Sequence, residues 1–201
     1  MTSLPEKVLA VHSSLRDASV PHAFGGAIAL AYCTQEQRAT SDLDLNVFVP
    51  AARSGSVLKV LPAEIRIEAK ARQDLRKRGQ ARLWWDDNPV DLFFNNHAFH
   101  DSAAGRIREV PFEATSIPIL DCTDLLVFKA LFARPKDWID IAAMIAADSI
   151  DVPYATRWLG ELVGTESSAY RRVMQLAEAR GSGDEVTRLL FGEDSESDEQ
   201  R

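Results

Sequence analysis

Two aspartates separated by a single leucine, Asp42 and Asp44, lie in the segment SDLDLNVFVP, where Leu43, Leu45, Val47 and Val49 alternate with Asp42, Asp44 and Asn46. Strict alternation is the period of a β-strand, so the leucines and valines face a core while both carboxylates project together from the other face. Two anions this close repel, and in an apolar setting one would be pushed toward protonation. A cation between them reverses that cost. Hard oxygen donors suit Mg²⁺ or Mn²⁺, held by one or two carboxylates together with substrate phosphates. Asp91 stands between Val90 and Leu92 in a second predicted strand, VDLFF. If that strand neighbours the first, Asp42, Asp44 and Asp91 share a face and form a metal site of the two-ion type, with ions about 3.5–4 Å apart. By itself, a DLD tripeptide also describes a solvated strand edge.

The surroundings of the pair sharpen the reading. Gly25-Gly26 follows a short strand (VPHAF) and opens the helix AIALAYCTQEQ. Glycines there let backbone N–H groups approach phosphate oxygens without a Cβ in the way. Arg38, Thr40 and Ser41 lie between that helix and the carboxylates, where a guanidinium and two hydroxyls could serve the same phosphates.

Helices and strands must hold these groups in place. Residues 4–18 carry Leu4, Val8, Val11 and Leu15 at helical spacing, with Pro5 in the first turn. Helices are expected over 52–61 and 66–78, the second ending at Gly79. ARLWW and VDLFF read as strands joined by the turn Asp86-Asp87-Asn88-Pro89, and VPFEATSIPIL supplies one or two more. From Asp121 the pattern is helical: TDLLVFKALFA, KDWIDIAAMIAA, YATRWLGELV and SSAYRRVMQLAEAR. The expected fold is α/β (α+β), a mixed sheet with flanking helices over 1–120 and a helical bundle over 121–190. Residues 191–201 read as a disordered acidic tail.

FGGAIALAY, RATSDLDLNVF and VDLFF together resemble the polymerase-β-like nucleotidyltransferase superfamily, whose signature is a Gly-Gly or Gly-Ser turn, a helix, Asp-x-Asp and a third Asp on a later strand. Leu125, Lys129, Arg134, Pro135, Lys136, Asp137 and Asp140 are similar to the C-terminal motif of the AbiEii/MenT-type toxin nucleotidyltransferases, with a single residue between Arg134 and Lys136 where that motif has a longer gap. The resemblance implies transfer of a nucleoside monophosphate from an NTP, with Asp42, Asp44 and Asp91 as metal ligands and Gly25, Gly26, Arg38, Thr40, Ser41, Lys129 and Asp137 around the triphosphate. It further implies an RNA acceptor, the tRNA 3′ end, and a cognate antitoxin protein. An aminoglycoside-like small acceptor, and a non-catalytic module binding a partner protein, are the other readings.

Several side chains admit two uses. Lys129 could face phosphate as a point charge or snorkel from an apolar helix; Asp137 could serve the site or cap its helix; and Asp140 could pair with a nearby base. Arg66, Lys70, Arg72, Arg76, Lys77, Arg78 and Arg82, diluted by Glu68 and Asp74, form either a solvated face or a phosphate-tracking surface. Trp84 and Trp85 could stack a base, but alternation buries one of them and favours core packing. His97 and His100 lack a third ligand and read as surface or capping residues, while His12 and His22 carry no signal. Cys33 and Cys122 lie far apart, without a CxxC context, and read as reduced, buried thiols of a cytoplasmic protein.

The net charge is −7, of which −5 falls in residues 184–201, so the body is near neutral and local patches decide its partners. No apolar run approaches the roughly 20 residues of a membrane span, and the N-terminus lacks the pattern of a secretory signal.

Overall fold

The computed structural model describes residues 2–192 of the chain; the part of the expected acidic tail from residue 193 onward lies outside the described residues. The chain divides into two compact units, one of Met1–Ala31 with Gln37–Asp121 and one of Tyr32–Glu36 with the chain from Cys122 onward.

The first unit is built on seven strands: β1 (His22–Phe24), β2 (Leu43–Pro50), β3 (Ile65–Arg66), β4 (Gln80–Trp85), β5 (Asn88–Asn95), β6 (Arg108–Phe112) and β7 (Thr115–Ile119). They form one mixed sheet in the order β3-β4-β5-β2-β1-β7-β6. β2 runs parallel to β5 and antiparallel to β1, and β1 runs parallel to β7. The alternation read in SDLDLNVFVP sets the register: Leu43, Leu45 and Val47 stand opposite Val90, Leu92 and Phe94, and all six are buried. Leu83 and Trp85 of β4 extend this apolar face.

Helix α1 (Leu4–Asp17) covers the same face. Ser3 and Glu6 form a capping box at its start. Its Lys7 is buried, 5.6 Å from the centre of the Trp85 ring, and its ammonium donates to the Trp85 carbonyl, Asp86 and Asn88. A lysine is tolerated there because all three of its protons find oxygen acceptors. The β4–β5 turn is thereby pinned to α1.

Helix α2 (Gly26–Thr34) stops three residues short of the expected end. The helix expected from residue 52 begins as a 3₁₀ turn (Ala51–Arg53) that leads into α3 (Ser54–Val60). The one expected from residue 66 gives its start to β3, so α4 spans Ala69–Arg78 and ends at Gly79 with φ +68. Arg66 is thus an edge-strand residue. A short helix, α5 (Ala98–Ala104), fills the stretch without a clear period. His97 caps it, and burial pushes the half-buried His100 imidazole down to about 4. His12 and His22, silent in the sequence, hydrogen-bond each other at 3.0 Å; since His22 Nδ1 donates to the Val20 carbonyl, His12 Nδ1 is the donor in the pair.

The second unit is helical, with α6 (Cys122–Phe132), α7 (Pro135–Ala146), α8 (Val152–Val163), α9 (Ser168–Glu178) and α10 (Gly183–Phe191). Its core includes Leu126, Ala130, Ile141, Met144, Leu159, Val173 and Leu176. Here one expectation is corrected: Cys33 and Cys122 are both buried, but they form a disulfide, with Cα atoms 5.5 Å apart. Their sequence separation of 89 residues hid a pairing that depends on the end of α2 meeting the start of α6. Among the described residues no helix is long and apolar enough to cross a membrane.

Candidate active site

The face of the sheet opposite α1 carries the polar half of the alternating pattern. Asp44 of β2 and Asp91 of β5 are register partners on adjacent parallel strands, so their side chains leave the same face side by side. Both are half-buried. Asp42 lies one residue before β2 rather than on it; its carboxylate accepts from the Ser41 hydroxyl at 2.8 Å, and its backbone N–H donates to the Thr40 hydroxyl at 3.1 Å. Thr40 and Ser41 therefore shape the approach to the strand. Arg38 is exposed in the preceding loop.

The glycine pair meets Asp44 directly. Gly25 donates its N–H to the Asp44 carbonyl at 2.8 Å, which continues the β1–β2 pairing. Gly26 adopts φ +51, and a Cβ built on it would lie 1.8 Å from Asp44 Oδ2. Only glycine fits both the conformation and the space. The Asp44 carboxylate consequently stands against the first turn of α2, where unpaired N–H groups and the helix dipole favour an anion.

On the other side of Asp91 sits a residue that, along the chain, belongs to a diffuse basic patch. Arg82 of β4 is the register partner of Asp91 and grips its carboxylate with two hydrogen bonds, Nε to Oδ1 at 2.8 Å and a terminal nitrogen to Oδ2 at 2.7 Å. The hydrogen bonds to Asp91 raise the guanidinium's pKa; partial burial opposes this, and the negative charges of Asp91, Asp42 and Asp44 add to it. All three acids therefore act on one positive charge. Its sequence signal was available: strand alternation places Arg82 on the polar face of ARLWW, and the turn at 86–89 folds it back onto Asp91.

The donor set, adjacent carboxylate oxygens without sulfur or imidazole, has the chemistry of a hard divalent ion. As the side chains stand, Asp91 is turned to Arg82 and Asp42 to Ser41, and among the described residues no three His, Cys, Asp or Glu side chains are grouped to hold one ion.

Lys129 and Asp137 belong to the second unit. The Lys129 ammonium is buried, 2.7 Å from Asp140 and 3.6 Å from Asp137. Asp137 is fully buried and also takes two hydrogen bonds from the Arg134 side chain and one from its backbone N–H. Burial works against its charge, yet the Arg134 hydrogen bonds and the Lys129 charge hold the carboxyl below its usual range. Lys129 thus neither snorkels nor offers an open ammonium. A phosphate would reach it only by competing with two carboxylates.

Neither a family model nor a curated protein matches the chain. Among solved structures, the chain is similar to an antigenic nucleotidyltransferase-like protein from Paracoccidioides brasiliensis (15% identity, 96% of this chain and 95% of that one, TM-score 0.49). It is also similar to a nucleotidyltransferase-designated protein from H. pylori (15% identity, 92% and 91%, TM-score 0.44) and to the antibiotic-resistance factor ANT(2'')-Ia (12% identity, 92% and 88%, TM-score 0.43).

Proposed function

We propose that the chain is a metal-dependent nucleotidyltransferase. The supporting observation is the placement of Asp44 beside Asp91 on parallel strands, with a glycine turn pressed against Asp44 so closely that no Cβ fits. In this reading the triphosphate lies over the start of α2, beside the Asp44 carboxylate that fills the space at Gly26, where the helix's first N–H groups face an anion. Thr40, Ser41 and Arg38 flank its entry. Asp44 and Asp91, with Asp42 at the rim, would hold Mg²⁺ or Mn²⁺. When bound there, such an ion would neutralise charge on the transferred phosphorus and the leaving pyrophosphate.

The reaction joins an acceptor hydroxyl oxygen to the α-phosphorus of the NTP and breaks the bond from that phosphorus to the bridging oxygen, releasing pyrophosphate. Asp91 takes the hydroxyl proton, for which its carboxylate must be freed from Arg82. The tRNA 3′ end as acceptor, and an antitoxin partner, come from the resemblance of residues 125–140 to the toxin group and belong to this proposal.

The test is incubation with each α-labelled NTP, Mg²⁺ and total RNA or an aminoglycoside. Label is expected on one acceptor class with wild type, and a loss of at least about 100-fold with Asp44→Asn, the scale of removing one strong electrostatic contact to the transition state. Undiminished transfer by a folded Asp44→Asn protein would remove the proposed site.

A further inference from the structure

We infer that the sheet face beside Asp91 binds a single-stranded polynucleotide through Arg82, Trp84 and Arg66, and that this strip receives the acceptor. The inference rests on the transfer reading for its orientation. The glycine turn lies on the β1 side of Asp44, so the nucleotide is assigned there; an acceptor must then approach from the other side of the carboxylates, over β5, β4 and β3.

Register fixes what that side presents. Arg82 faces Asp91, and Trp84, two residues along β4, shares its face. Arg66 is the register partner of Trp84 on edge strand β3 and leaves the same face. Trp85 points the other way into the core, at 4% exposure, whereas Trp84 is half-buried. Core packing thus accounts for one tryptophan and leaves the other on the carboxylate face. The Arg82 guanidinium stands 6.0 Å from the centre of the Trp84 ring while it grips Asp91, so a single side chain links the carboxylates to the ring. Arg66 is exposed, and its contact with exposed Glu68 is 3.6 Å, a pairing weak enough to yield to a phosphate.

The chemistry of this strip selects its ligand. An indole ring with one guanidinium two residues along its strand and another across from it on β3 offers a base a stacking surface. It offers the adjoining phosphates the Arg66 charge and, once Asp91 is freed for the proton, the Arg82 charge. A polycationic small acceptor would meet like charge at Arg82 and Arg66. The acids at the turn beyond Trp84 bound the strip at that end, where Asp86 is tied to Lys7 and Asp87 is exposed; a polyanion would therefore leave toward Arg66.

The experiment measures binding without NTP and in EDTA, by fluorescence anisotropy of a 12-nucleotide single-stranded RNA and of its DNA counterpart. Trp84→Leu should weaken binding by about 5- to 150-fold, the worth of one stacked base, while Trp84→Phe, which keeps a ring, should retain it within about threefold. Arg66→Ala should flatten the dependence of log affinity on log salt by about 0.7, one phosphate contact to a single strand. Circular dichroism and thermal melting check each fold, and Trp84→Phe and Arg66→Ala keep the test open if Trp84→Leu does not fold. Tighter binding of RNA than DNA, or equal binding of both, fits the strip. Wild type binding neither strand at low salt, or folded Trp84→Leu and Arg66→Ala binding as wild type does, overturns it. Transfer to an aminoglycoside at equal rates in all variants would also overturn it while leaving the transferase reading intact. Strand binding lost in the strip variants, without any NTP turnover by wild type, would sink the transferase reading alone.

Discussion

Gly26 shows how much a single position decides. Its φ of +51 would cost an alanine about 1–2 kcal/mol in backbone strain, and its missing Cβ is the space that Asp44 Oδ2 fills. Gly26→Ala should therefore lower Tm by a few degrees and turn the Asp44 carboxylate away. The expected result is at least a tenfold fall in NMP transfer and in the thermal shift produced by NTP with Mg²⁺. Gly55→Ala is the control, since a Cβ there meets nothing within 4 Å; a Gly26→Ala protein that matches it in activity would separate the glycine from the site. That Gly25-Gly26 opens a helix was legible because glycines between a strand and a helix have few other uses. The grip of Arg82 on Asp91 is harder to read: counted along the chain, Arg82 is one of seven basic residues, and it stands out only when the strand alternation and the turn at 86–89 are combined into the β4–β5 register.

Between elements, the α6–α7 pair is held by charges rather than by apolar contact alone. Lys129 on α6 is enclosed with Asp137 and Asp140 on α7, and Arg134 closes the network from the α7 N-terminus. Removing the ammonium takes a cation from two buried carboxylates at once, a loss of about 3–5 kcal/mol by the usual cost of breaking a buried pair. Lys129→Ala should thus destabilise the second unit strongly in urea unfolding. A Lys129→Met, Asp140→Leu double variant should recover much of the loss, because it removes both charges and fills the volume. Lys129→Met that keeps its unfolding midpoint but loses transfer would instead assign the lysine to phosphate. The helices were legible through their apolar period, and Lys129 admitted both uses. What the sequence could not show is that i+8 and i+11 on the next helix return to the same ammonium, since that depends on how the α6–α7 turn folds back. The β3 edge strand escaped for a related reason: two residues are too short for alternation to register, so Arg66 reads as helical until β4 pairs with it.

At the scale of the whole chain, the Cys33–Cys122 bond ties the end of α2, the helix that begins at the glycine turn, to the start of α6. A link across 89 residues restricts the unfolded chain by about 4–5 kcal/mol in the loop-entropy account. Both cysteines are buried, at 3% and 1% residue exposure, so a reductant reaches their sulfurs only when the surrounding helices open. Reduction of the native protein should therefore be slow and should accelerate sharply near the onset of urea unfolding, where opening becomes frequent. Once reduced, the protein should unfold at a clearly lower urea concentration with a steeper denaturant dependence, because an unlinked chain exposes more surface. Cys33→Ser with Cys122→Ser should reproduce that midpoint without reductant. Identical midpoints for oxidised, reduced and doubly substituted protein would mean that the bond constrains neither state. The helix end would then be held by packing, and the α2 N-terminus beside Asp44 would owe nothing to the cysteines.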